Sequence, residues 1–179
     1  MKKILVLSTS PRKGGNSDML ADAFIEGARE AGHAVEKICL REKDIRFCNG
    51  CLACQKTLSC VIHDDAPAIV HSMQRADALV FATPVYYYAM CGQMKTLLDR
   101  ANPLFSADYA FRDVYLLAAA ADGDESAVDG VVDGLNGWIS CFDKSRLRGV
   151  VRGVGVTLPG DIRQQPAALE AARRMGRQA

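Results

Sequence analysis

Five times along the chain, a short apolar run of strand length is followed by a longer stretch with helical periodicity, and this alternation limits the fold more than any other feature. The apolar runs are residues 3–7, 34–40, 77–82, 114–121 and 149–156, and the helical stretches are 16–31, 65–75, 90–101, 127–142 and 166–176. The runs at 77–82 and 114–121 are almost free of polar residues, as strands buried on both faces are. Parallel strands need long crossovers, and helices supply them with the right hand. The pattern therefore predicts an α/β fold: a doubly wound sheet of five parallel strands, with helices on both faces in three layers. Asp65, two residues before Pro67, marks the start of the second helix, with its carboxylate expected to cap it. No repeat, low-complexity tract or linker divides the chain, so one domain over residues 1–179 is expected.

In such sheets ligands sit beyond the carboxyl ends of the strands, where the strand order reverses. The loop after the first strand reads Ser8-Thr9-Ser10-Pro11-Arg12-Lys13-Gly14-Gly15-Asn16-Ser17 and runs directly into a helix. A helix N-terminus offers free N–H groups and the positive end of its dipole, which suits a phosphate. Ser10 and Ser17 add hydroxyls, Asn16 an amide and Arg12 a fixed charge, while the glycines let the backbone come close. An ordinary capped turn needs only one such residue. The P-loop pattern is absent, and Gly153-Val154-Gly155 falls inside a strand rather than opening a helix. With the loop after the first strand as ligand site, the strand order expected is 2-1-3-4-5.

Apolar residues make up 49% and charged residues 24%, the balance of an average globular domain. No apolar run approaches the ~18 residues of a spanning helix, so no membrane partner is expected. The 22 basic and 21 acidic side chains leave a net charge of +1, which gives little long-range attraction to nucleic acid. Small molecules are the expected partners. Seven arginines fall within residues 146–179 against Asp161 and Glu170, and read as a solvated face of the last helix. The short apolar run after two lysines ends at Pro11, too soon for a signal-peptide core, so a cytoplasmic protein is expected.

Four of the seven cysteines, Cys48, Cys51, Cys54 and Cys60, lie within thirteen residues. The chain is too long and too poor in cysteine for a secreted disulfide scaffold. Thiolates this close can wrap an iron–sulfur cluster, act as free or redox-active thiols, or bind zinc, and spacing alone does not choose. Cys39, Cys91 and Cys141 read as core residues. His63 and Asp64 read as serving the loop and the helix start.

Ser10-Pro11-Arg12 with Asn16-Ser17, and Thr83-Pro84-Val85-Tyr86 followed by Lys95 and Asp99-Arg100, resemble the NAD(P)H-dependent FMN reductases of the flavodoxin-like superfamily. The likeness runs through about the first hundred residues. It implies a flavodoxin-like fold and an FMN whose phosphate rests on Ser10, Arg12, Asn16 and Ser17. It sets the flavin ring against Thr83, Pro84, Val85, Tyr86 and Tyr87, although aromatics at 86–88 also suit core packing at a strand end. NAD(P)H is the implied co-substrate, and a flavin, a quinone, an azo or nitro compound, or an iron–sulfur protein is the implied acceptor. A homodimer or homotetramer follows from the same likeness, with exposed aromatics near 86–88 and 105–111 as its surface. Residues 121–125, ADGDE, lack the glycine- or hydroxyl-rich character of a flavin loop, so that contact stays open. The compact cysteine motif resembles the iron–sulfur flavoproteins of the same superfamily, and implies Cys48, Cys51, Cys54 and Cys60 as ligands of a [4Fe-4S] cluster. Two other classes compete: a one-electron flavodoxin-like carrier, disfavoured by the near-neutral charge, and a thiol or metal-binding module.

Overall fold

The computed structural model describes residues 1–179. Its sheet has the order β2-β1-β3-β5-β6, all parallel, from β1 (Lys3–Ser8), β2 (Ala34–Cys39), β3 (Ala78–Tyr86), β5 (Asp113–Ala119) and β6 (Arg146–Gly153). That is the doubly wound arrangement expected. A sixth strand, β4 (Ala89–Met90), pairs antiparallel with the end of β3 alone and forms a small hairpin. The strand order reverses between β1 and β3, which puts their carboxyl ends at the switch point.

Successive strand residues point to opposite faces, so the sheet divides the core in two. Leu5, Leu7, Leu79, Phe81, Val114 and Leu116 face α3 (Ala66–Arg75), α4 (Gly92–Arg100) and α6 (Asp129–Ile139). Ile4, Val6, Val80, Tyr115 and Leu117 face α1 (Asn16–Glu30) and α7 (Pro166–Arg177). Two short helices, α2 (Cys54–Thr57) and α5 (Pro103–Ser106), complete the set. No helix is long and apolar enough to cross a membrane.

Helices α1 and α7 meet backbone to backbone. A side chain at Gly27 would strike the carbonyl of Arg173, and one at Gly176 would strike that of Phe24, so only glycine permits this approach. Arg173 and Arg177 pair with Glu30 across the same seam. The arginines of residues 146–179 are therefore not all on the last helix: Arg146 and Arg148, on β6, sit 3.5 and 3.4 Å from Asp113, and Arg152, also on β6, sits 2.7 Å from Asp129.

Several boundaries differ from the sequence reading: β3 runs on to Tyr86 as it enters the hairpin, α6 is shorter at both ends, and β6 stops at Gly153, so Val154 and Gly155 lie beyond the strand rather than inside it. Three more have a local reason. Strand β6 begins at Arg146, because an edge strand can leave its arginines in water while its backbone pairs with Asp113. Helix α4 begins at Gly92, because Ala89 and Met90 are drawn into the hairpin. At α3 it is Asp64, not Asp65, whose carboxylate accepts from the Ala66 N–H at 3.0 Å, while Asp65 accepts from the Asp44 N–H at 2.8 Å.

Candidate functional site

The first loop continues the sheet before it turns. The Thr9 N–H and hydroxyl both donate to the Ala82 carbonyl, at 2.9 and 3.0 Å, so the loop leaves from the β1–β3 switch point. The Ser10 hydroxyl then donates to the Arg12 carbonyl at 2.9 Å and accepts from the Arg12 N–H at 3.2 Å, curling the chain back on itself. Gly15 packs against this curl: a Cβ there would lie 2.6 Å from Ser10 Oγ and 3.2 Å from the Arg12 carbonyl.

At the start of α1 the Ser17 hydroxyl is buried and has no hydrogen-bond partner. A buried donor without an acceptor is costly, and a helix N-terminus is where an anionic oxygen would relieve it. Behind the loop Asp18 takes a bond from Ser8 Oγ at 2.6 Å, another from the Gly14 N–H at 3.2 Å, and the Lys37 ammonium at 2.8 Å. Burial pushes its carboxyl up, but the hydrogen bonds from Lys37 and Ser8 and the Lys37 charge outweigh this, and its pKa lies below the ordinary carboxylate value. Lys37 and, at 3.5 Å, Arg41 thus offset a carboxylate that would otherwise repel an anion at this helix end.

The Asn16 amide is engaged by the segment around Leu158 to Ile162. Its Oδ1 accepts from the N–H groups of Gly160 and Ile162 at 3.1 and 3.2 Å, and its Nδ2 donates to the Leu158 carbonyl at 3.0 Å. Arg12 reaches the same segment and donates from Nη1 to the Thr157 carbonyl at 3.0 Å.

These elements enclose a pocket of about 250 Å³, in which Ser10, Arg12, Asn16 and Ser17 face Pro84, Val85 and Tyr86, with Ala121, Val156 and Thr157 behind. A larger cleft of about 440 Å³ opens at the opposite ends of β1 and β2, near Lys3 and Ala34, away from the switch point. The smaller pocket is the functional candidate, since a buried unpartnered donor lines it. Thr83 does not line it. Its hydroxyl is fully buried and lies 3.4 Å from Cys91 Sγ, with Thr9 Oγ1 3.2 Å from the same sulfur, beneath the pocket floor.

Tyr87 does not line the pocket either. The β3–β4 hairpin turns through Tyr87 and Tyr88, both in the left-handed region at φ 49° and 60°, where Asn-Gly is the usual choice. Tyr87 is 99% exposed, so residues 86–88 are not core packing. Tyr88 donates to Asp122 at 3.1 Å, which ties the hairpin to residues 121–125 and gives that polar loop a structural role.

The profile of the NADPH-dependent FMN reductases matches residues 2–151. The chain belongs to that family. It is therefore an FMN-using oxidoreductase. An iron–sulfur flavoprotein of Methanocaldococcus jannaschii is 30% identical over 183 residues, covering 98% of this chain and 94% of that one. Another iron–sulfur flavoprotein, from Archaeoglobus fulgidus, is 38% identical over 103 residues, or 58% of this chain; the match spans less than half of that protein, 46%. The fold is shared with an NAD(P)H:quinone oxidoreductase from Methanothermobacter marburgensis, at a TM-score of 0.77 and 21% identity, over 99% of this chain and 95% of that one.

As an FMN reductase the chain presents a suitable phosphate cradle, namely the unpartnered Ser17 hydroxyl, the helix N-terminus and the Gly15 approach. The cysteine loop fits its implied group less well. Cys48 and Cys51 are exposed, Cys60 is half-buried, and Cys54 is turned inward, where its sulfur accepts from Asn102 Nδ2 at 3.1 Å. No group of three or more His, Cys, Asp or Glu side chains is placed to hold a metal ion. The four sulfurs expected at the corners of one cluster are thus not gathered. Cys91 is core and Cys39 half-buried, but Cys141 is exposed, contrary to the sequence reading. Phe111 is likewise fully buried, which leaves Phe105 as the exposed aromatic of the 105–111 stretch expected at a subunit surface.

Sequence reasoning missed Asp18, Thr157 and the link from Asn16 to residues 158–162. A carboxylate directly after Ser17 in the first helical turn was a visible sign for Asp18. Nothing in sequence spacing pointed to Thr157.

Proposed function

We propose that the chain binds one FMN in the 250 Å³ pocket and oxidises NAD(P)H, passing the electrons to a small-molecule acceptor or a redox protein. The observation that carries this reading is the buried, unpartnered hydroxyl of Ser17 at the start of α1, a residue that lines one cavity with Pro84 and Tyr86. Bound there, FMN would supply the hydride-accepting ring that no side chain of the pocket offers.

The chain's own residues bind and orient. Ser10, held by its two bonds to Arg12, keeps the loop curled, so that the backbone N–H groups of α1 and the Ser17 hydroxyl are aimed before any ligand arrives. Arg12 adds a cation at the rim, and Asn16 acts by positioning rather than by contact. Pro84 and Val85 offer a stiff apolar wall, and Tyr86 a flat one. No side chain in the pocket is required as an acid or base, in keeping with chemistry carried by a cofactor.

A homodimer, or a pair of dimers, is part of the same proposal, with Tyr87 and the hairpin tip as the exposed surface. The [4Fe-4S] reading of Cys48, Cys51, Cys54 and Cys60 is supported by their spacing and by the names of the two relatives. Their placement does not support it, and we assign no electron-transfer step to a cluster.

The test is a fluorescence titration with FMN, followed by NADH and NADPH oxidation with quinone, azo and nitro acceptors. Saturable binding of one FMN per chain with nicotinamide oxidation is expected. FMN binding without any oxidation of either nicotinamide would leave the carrier reading, and sedimentation as a monomer at micromolar concentration would remove the dimer.

A further inference from the structure

Residues 154–162 lie beyond the segment that matches the FMN reductase family, yet the phosphate loop holds them by four hydrogen bonds. Asn16 supplies three of these, to Leu158, Gly160 and Ile162, and Arg12 supplies the fourth, to the Thr157 carbonyl. The segment is stiffened from within, since Asp161 Oδ2 accepts from the N–H groups of Thr157 and Leu158 at 3.0 and 2.7 Å. It is also tied to the loop after β5, through Gly155 N–H to the Asp122 carbonyl at 2.7 Å and Val156 N–H to the Ala120 carbonyl at 2.9 Å. Its far end runs into α7, which the Gly27 and Gly176 contacts press against α1. Helix α1 thus fixes both ends of the arrangement. Its first residue grips the segment, and its C-terminal half seats the helix that follows.

We propose that residues 154–162 form a third wall of the FMN site, clamped by Asn16 and closing on the phosphate end through the Thr157 hydroxyl. The proposal rests on the FMN reading above and deepens it. Val156 and Thr157 line the same pocket as Ser10, Arg12 and Ser17. Arg12 donates to the Thr157 carbonyl at 3.0 Å, so these two lining residues are joined directly. An oxygen-rich, dianionic group beside Ser17 then meets a hydroxyl from either side, one on α1 and one on the third wall. Asn16 is a positioning residue here: its amide sets the wall and takes no part in contacting the phosphate.

Hydrogen exchange and a flavin pair test this. In the wild-type protein, FMN should slow amide exchange at Gly160 and Ile162, while riboflavin, which lacks the phosphate, should do so far less. Thr157→Val keeps the shape and removes the hydroxyl. It should weaken FMN binding by about tenfold, in the range of one hydrogen bond to a charged group, and leave riboflavin affinity unchanged. Asn16→Ala should weaken FMN binding more than riboflavin binding, because the bonds that hold the wall are lost in the free protein as well as in the complex. FMN binding to the wild type with unaltered exchange at both amides, or wild-type FMN affinity in Thr157→Val, overturns the third wall and leaves the flavin site standing. If the wild type binds no FMN, the flavin site and the wall fall together. The exchange and Thr157→Val arms stand even where Asn16→Ala does not fold.

Discussion

Arg100 at the end of α4 and Asp64 before α3 form a bidentate ion pair at 2.6 and 2.9 Å, with both side chains wholly buried. The same guanidinium donates to the carbonyl of Arg46 at 2.6 Å and to that of Ile62 at 3.4 Å. One side chain thus ties together the two ends of the loop that carries Cys48 to Cys60. Replacing Arg100 by Leu leaves the Asp64 charge buried without its partner, which should destabilise the fold by about 3–5 kcal/mol. Arg100→Lys should also destabilise it, because an ammonium cannot reproduce the planar fork that serves four acceptors. Urea unfolding measures both, and a loss below about 1 kcal/mol, the worth of an exposed pair, would show that the pair does not hold the loop.

The same pair makes stability depend on acid. Burial pushes the Asp64 carboxyl up, but the Arg100 bond and the N–H groups of Arg46 and Ala66 pull it down further, to a pKa of about 2. A carboxyl that binds protons less readily when folded stabilises the fold fully above its unfolded pKa of about 3.9. That contribution should fade as pH falls from about 4 towards 2. Asp18, also lowered, adds a loss of the same sign. Unfolding free energy measured across this range should fall less steeply in Asp64→Asn than in the wild type. Parallel curves would mean that the pair does not set the carboxyl's affinity for protons.

Gly15→Ala separates the cradle from the fold. The added methyl would lie 2.6 Å from Ser10 Oγ, so the curl at Ser10 to Arg12 must open, while the strands and α1 have no reason to move. FMN affinity should fall by about tenfold or more with little change in thermal unfolding of the apoprotein. Ser17→Ala should weaken FMN by about 1.5–3 kcal/mol if its hydroxyl meets the phosphate, and leave apoprotein stability unharmed, since the hydroxyl has no partner to lose. Wild-type FMN affinity in both variants would move the phosphate elsewhere.

Much of the fold was legible because buried parallel strands are written as continuous apolar runs. Val114 to Ala119 could face nowhere but inward, and Ser10 to Ser17 could follow only a strand end. The hairpin was not legible. Tyr87 and Tyr88 both adopt φ above zero, a conformation that bulky residues disfavour, so local propensity argued against the turn that tertiary pairing imposes. The partners of Asn16 were hidden for another reason: they lie more than 140 residues away, at Leu158, Gly160 and Ile162, and only the packing of α7 on α1 brings them near. Arg100 showed itself as part of a motif but not as a buried ion pair, since its partner Asp64 read as a helix-start residue.

The cysteine loop yields the sharpest remaining prediction, because exposure and chemistry point in different directions. In metal-free reduced protein, Cys48, Cys51 and Cys141 are exposed and should be alkylated quickly, Cys54 slowly, and Cys91 only on unfolding. To join a cluster, Cys54 must leave its hydrogen bond to Asn102 and turn outward, so assembly has to remodel the loop between the two ends that Arg100 holds. If the loop is remodelled in this way around a cluster, anaerobic reconstitution with iron and sulfide would load about four iron per chain and protect Cys48, Cys51, Cys54 and Cys60 from alkylation. Cys141 lies outside the loop and should react as before, which makes it the internal control. Changing any one of the four to Ser should lower the iron content. Flavin uptake without stoichiometric iron, and with Cys48 and Cys51 as reactive as before, would instead identify the loop as a set of free thiols whose spacing serves no metal.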